Sequence, residues 1–143
     1  MIIAPSYINR VFQDADYQGL VWLTSWICAA DAFDMNAADY GLSQPLFVLV
    51  EGLSWFAHSA RSGVITYFEA TPPERQTAML QALEAEGAPD QFAEKYRLGM
   101  NTWKNPTKAA ELDRWLDEND EANNRYLWSL ARAHRQELEA FVP

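Results

Sequence analysis

The sequence predicts an all-α protein, a compact orthogonal bundle of about six to seven helices in a single domain over residues 1–143. Two observations carry this expectation. Apolar residues recur at three- and four-residue spacing in most segments, which is the period of a helix with one buried face. Proline and glycine fall at the ends of those segments, and the joints between them are short, so helix follows helix. The chain has 143 residues, 49 % apolar and 13 % aromatic, which is enough to build a real core and too rich for disorder.

Taken in order, "SYINRVFQDAD" reads as a short helix capped by Ser6. A second helix is expected from Tyr17 to Phe33, with Leu20, Leu23 and Ile27 on its apolar stripe. "DMNAADYGLSQP" reads as a loop punctuated by Asn36, Gly41 and Pro45. Pro45 suits the first turn of the next helix. That helix is apolar nearly all round, with Leu46, Phe47, Leu49, Val50, Leu53, Trp55 and Phe56, and so belongs in the middle of the fold. The break "HSARSG" that follows could be an active-site loop, a metal site or a helix-to-helix turn.

"GVITYFEA" has strand-like residues in a run too short to decide by propensity, and is read as a short helix. In "TPPERQTAMLQALEAEGAP", Thr71 and Glu74 have capping-box spacing and Pro72 suits the first helical position. Gly87 ends that helix and Pro89 opens the next, where Phe92, Tyr96 and Met100 stand four apart. Asn105 caps the following helix, with Pro106 inside it. A last helix is expected over roughly Asp120 to Phe141.

Twenty acids against eleven bases give a net charge of −9. That disfavours direct nucleic-acid binding, because little could neutralise a run of phosphates. It favours basic protein partners through electrostatic steering. The single cysteine, Cys28, excludes an intramolecular disulfide and is expected to be a buried, inert thiol. The longest apolar stretch is interrupted by Glu51 and too short to span a bilayer, and no conventional signal peptide opens the chain. The expectation is a cytoplasmic protein without membrane contact.

Motifs for catalysis are missing. No nucleophile elbow, phosphate loop or dinucleotide fingerprint occurs. His58 lies seven residues after Glu51 and His134 three before Glu137, so each pair could share a helix face, yet neither has metal-ligand spacing. No metal, no cofactor and no enzyme activity are expected. The acids themselves are the candidates. Asp113, Asp117 and Glu121 are four apart, with Glu118 and Asp120 beside them. On a helix that spacing sets a carboxylate about every 6 Å along one face. Such a ladder can imitate the phosphates that a DNA-binding protein recognises. Asp14, Asp16, Asp31, Asp34 and Asp39 add further charge, with only Arg10 near them in sequence.

"EGLSWFAHSARSGVITYFEA", "LQALEAEGAPDQFAEKY" and "ELDRWLDENDE" together resemble the bacterial DNA-mimic-protein-like family, over roughly Gln44 to Phe141. The matching positions are Glu51, Gly63, Tyr67, Phe68, Ala82, Leu83, Gly87 and Ala88. The family's Asn-Asn-Gly-Gly turn is "SARSG" here, and Glu69 stands where an Asn often follows the aromatic pair. The resemblance implies an all-helical, non-enzymatic protein that occupies the DNA site of a basic partner, often as a dimer. The six Trp leave room for an aromatic homodimer face. The resemblance also makes "HSARSG" a tight helix-to-helix turn, with Gly63 allowing a backbone angle that other residues resist, and makes Tyr67 and Phe68 packing residues rather than a stacking platform. The alternative function is an immunity protein that neutralises a co-encoded, basic toxin by the same electrostatics.

Overall fold

The computed structural model describes residues 4–143, so the first three residues of the expected domain lie outside it. The described residues are all-α, with nine helices rather than six or seven. The one helix break not expected along the chain divides the last helix at His134.

Helix α1 (Pro5–Asp14) starts with Pro at its first turn and Ala4 as the capping residue, so Ser6 lies inside the helix and does not cap it. Ala15 ends it in the left-handed conformation, with φ at 48°. Helix α2 (Tyr17–Ala29) is capped by Asp16, whose Oδ1 accepts from the Gly19 N–H at 2.9 Å. It stops four residues before the expected end, because Ala30 is already extended. Two aspartates organise the chain that follows. Asp34 Oδ1 accepts from the Asn36 N–H and Asp39 Oδ1 from the Gly41 N–H, closing local turns that compete with helix.

Helix α3 (Gln44–Ser62) is the central element, as its all-round apolar character predicts. It packs against α2 and against four helices that follow it: α4 (Val64–Ala70), α5 (Pro73–Ala85), α7 (Pro106–Glu118) and α8 (Asp120–Ala133). The "HSARS" residues continue α3 to its end, and the break is one residue long. Gly63 sits at φ 89°, ψ 157°, a conformation open to glycine, and α4 begins at once. Tyr67 and Phe68 on α4 are each 1 % exposed, which makes them packing residues.

The capping box expected at Thr71 does not form. Pro72 is the cap and Pro73 the first residue of α5, while the Thr71 hydroxyl donates to the Tyr67 carbonyl at 2.6 Å. Helix α6 (Asp90–Thr102) follows Pro89. Gly99 in α6 faces the Phe68 ring so closely that a Cβ there would collide with it. Asn105 caps α7 as expected, its Oδ1 accepting from the N–H groups of Thr107 and Lys108 at 3.0 and 3.1 Å. The expected last helix divides at His134 into α8 and α9 (Arg135–Glu139). The buried apolar residues form one cluster that runs from Ile8 to Leu138. No described helix is long and apolar enough to cross a membrane.

Candidate functional site

The acids singled out by spacing lie at the joint of α7 and α8. Asn119 breaks the helix there, with its backbone N–H and its Nδ2 both donating to the Trp115 carbonyl, at 3.0 and 2.8 Å. The break interrupts the single-face ladder that a continuous helix would give. Asp113 and Asp117 remain on α7, Glu118 ends that helix, and Asp120 and Glu121 form the first turn of α8. At a helix start carboxylates meet the positive dipole end, which is a favourable place for Asp120 and Glu121.

These five residues have different surroundings. Asp113 is half-buried, and its Oδ1 accepts the Val64 N–H at 2.8 Å. It supplies from 49 residues away the cap that Gly63, with no side chain, cannot give α4. Asp117, Glu118, Asp120 and Glu121 are exposed. Glu121 pairs with Arg125 one turn on at 3.1 Å, an exposed contact of little energetic weight. Asp117, Glu118 and Asp120 have no cation within 4 Å among the described residues. Asp113, Asp117 and Asp120 line a cleft of about 340 Å³. Ser59 of α3, Gly63 between α3 and α4, and Asn123 of α8 line it too.

A second carboxylate site is hidden in the core. Glu51 on α3 is 1 % exposed and accepts hydrogen bonds from two tyrosines. The Tyr40 hydroxyl donates to Oε1 at 2.6 Å and the Tyr67 hydroxyl donates to Oε2. The Tyr67 and Tyr96 hydroxyls are 2.8 Å apart, which extends the chain to α6. Tyr40 is held in the left-handed region at φ 60°. Its ring stacks on Phe33 and carries the Arg75 guanidinium 4.2 Å from its centroid. Arg75 also donates to the carbonyls of Met35, Ala37 and Ala38, clamping the loop to α5. Burial pushes the Glu51 carboxyl above its ordinary range, opposed by the two tyrosine hydrogen bonds and by Arg75. Burial and the nearby Glu51 charge raise Tyr40, Tyr67 and Tyr96 as well.

The remaining candidates do not assemble. His58 is exposed near the end of α3 and His134 is half-buried at the α8–α9 joint. Among the described residues no three His, Cys, Asp or Glu side chains are grouped to hold a metal ion. Cys28 is exposed, contrary to the expectation of a buried thiol: it lies at the edge of the α2 stripe formed by 20, 23, 24 and 27 and opens into a surface groove with Thr24 and Ser25. Partial burial and the charge of Glu51 push its thiol pKa up.

Sequence reasoning missed the Glu51 hub and the buried, unpartnered oxygens of Ser59 and Asn123. A glutamate inside the most apolar helix, with tyrosine rather than phenylalanine at 67 and 96, is a usable signal for the first. Nothing in the sequence marks the second. Comparison with protein-family models, with curated proteins and with solved structures finds no match for this chain.

Proposed function

We propose that the protein is a non-enzymatic, acidic interaction protein of the cytoplasm that occupies the DNA site of a basic DNA-binding protein. One observation carries this reading. Asp117, Glu118 and Asp120 stand together at the α7–α8 joint, exposed and without a cation within 4 Å among the described residues. Only four of the twenty acids, Asp14, Glu84, Glu121 and Glu139, have such a cation there. Other acids have structural duties: Asp16, Asp34, Asp39 and Asp113 accept backbone N–H groups, and Glu51 is in the core. What remains at the joint is unneutralised charge in an ordered arrangement, suited to steer and hold a basic surface.

The experiment is capture of host proteins at graded salt, with duplex DNA as competitor and mass spectrometry of the bound fraction. A basic DNA-binding protein that leaves as salt rises and is displaced by duplex supports the reading. A toxin-like protein that stays bound at high salt and ignores duplex favours the immunity alternative and contradicts mimicry.

A further inference from the structure

A surface groove of about 640 Å³ runs between α2 and α3 and onto the loop that joins them. The two helices are antiparallel there: Tyr17 at the start of α2 and Arg61 at the end of α3 line the same two openings. Each helix turns a stripe of three- and four-residue spacing to the groove, from Tyr17 to Cys28 on α2 and from Val50 to Arg61 on α3. On either helix that is about 16 Å. Buried Val50 and Leu53 and half-buried Val21 and Phe33 make the lining apolar. Two of the four large apolar side chains exposed among the described residues stand on it, Tyr17 at 47 % and Met35 at 69 %. No acid lines it, although twenty of the 143 residues are acids. The acids stand beside it instead. Asp16 precedes Tyr17, and Asp34 lies between the lining residues Phe33 and Met35. Both are exposed, with no cation within 4 Å among the described residues. Past Arg61 the groove adjoins the one lined by Asp120, at the α7–α8 joint.

We propose that this groove receives an amphipathic helix of the basic partner, laid along α2 and α3 with its apolar stripe inward and its lysines or arginines outward. The proposal rests on the acidic-surface reading above and adds a recognition element beside the joint. A contiguous apolar centre rimmed by charge is the pattern of a protein interface. Two antiparallel stripes leave a groove into which the side-chain ridge of a third helix fits, and about 16 Å admits about three turns of it. The charge fixes the sign of the partner. A chain at −9, with an acid beside each end of the groove, attracts a basic helix and repels an acidic one. His58 and Arg61 line the end at which α3 stops, where they suit the carbonyl end of the docked helix. The same end leads to Asp120, so a basic surface held at the joint and a helix held in the groove form one continuous contact.

The test is an NMR titration of the ¹⁵N-labelled full chain with a synthetic leucine–lysine peptide patterned as an amphipathic helix. The controls are an isomer with the same residues and no apolar stripe, and a counterpart with glutamate for every lysine. The patterned basic peptide is expected to give saturable shifts at Val21, Ser25, Leu53, Ser54 and Ala57. Each control should bind at least roughly tenfold more weakly, the isomer for want of apolar burial and the acidic peptide through repulsion. The double variant Tyr17→Ser/Met35→Ser removes exposed apolar surface and no charge. It should weaken the patterned peptide by roughly tenfold and leave Tm nearly unchanged. Equal binding by the isomer would assign the contact to charge alone and overturn the proposal. So would shifts confined to other residues, no binding, or unchanged affinity in the double variant. Sedimentation velocity of the wild type is expected to show a monomer. A dimer that the double variant dissociates would give the groove to a second copy and overturn the proposal. The titration contains no host protein, so its failure is distinct from failure of the surface reading, which shows as no salt-dependent capture by the wild-type chain.

Discussion

Glu51 and Asp117 carry the same functional group in opposite settings. Glu51 is enclosed by the central helix, two tyrosine hydroxyls and a nearby arginine. Asp117 is exposed at the end of α7, with no cation within 4 Å among the described residues. The first is costly to bury, and the fold surrounds it with donors that hold Tyr40, Tyr67 and Tyr96 in register. The second costs little and supports no other part of the fold. The difference teaches that net charge alone does not locate function in this chain. A carboxyl group engaged by the fold organises structure, and one that the fold leaves unengaged is available to a partner.

The comparison breaks most visibly at the hub. Glu51→Ala leaves two buried hydroxyls without an acceptor and opens a cavity, and is expected to cost about 3–5 kcal/mol in chemical denaturation. Glu51→Gln keeps one acceptor oxygen and should cost less, about 1–3 kcal/mol. The pH dependence has a definite sign. Because the folded carboxyl is raised from its ordinary value of 4.5, the native state holds the proton more tightly than the unfolded chain does. Its stabilising contribution is complete below that value and is lost as pH rises through the folded one. Stability of the wild type relative to Glu51→Gln should therefore fall as pH is raised from 4.5. A difference that grows with pH contradicts the account.

Gly99→Ala tests how the hub is kept in reach. The added methyl collides with Phe68, forcing α6 and Tyr96 away from α4 and Tyr67, and should cost about 1–3 kcal/mol by thermal unfolding. Tyr126→Phe sharpens the contrast at the small end. The Tyr126 hydroxyl is buried without a partner, and burial pushes its pKa up to about 12. Removing it should leave stability at neutral pH nearly unchanged. It should also remove the part of the alkaline loss that sets in as pH rises from 10 towards 12, where the unfolded tyrosine ionises first.

Much of the fold is legible in the sequence because its signals are local. Asn105 followed by Pro106 marks the start of α7, and the apolar circumference of α3 places that helix at the centre. The errors have local physical causes too. Pro72 and Pro73 compete for the helix start, so the capping box at Thr71 is lost to a hydroxyl bond with Tyr67. Asn119 divides the acidic run between two helices, which spacing by four cannot reveal. The candidate site is less legible because its contacts are distant. Asp113 caps a helix 49 residues earlier, and Asn123 and Ser59 come to one cleft only through the packing of α8 on α3.

The most direct test of the central claim compares the wild type with D117N/E118Q/D120N/E121Q in the salt-graded capture, each competed with duplex DNA. The four substitutions lie outside the core and should move Tm by no more than about 2 °C. The account predicts that the wild type retains a basic DNA-binding protein at low salt, releases it to duplex, and that the variant does not retain it. The same proteins on both chains, or a bound fraction that duplex does not displace, would contradict it.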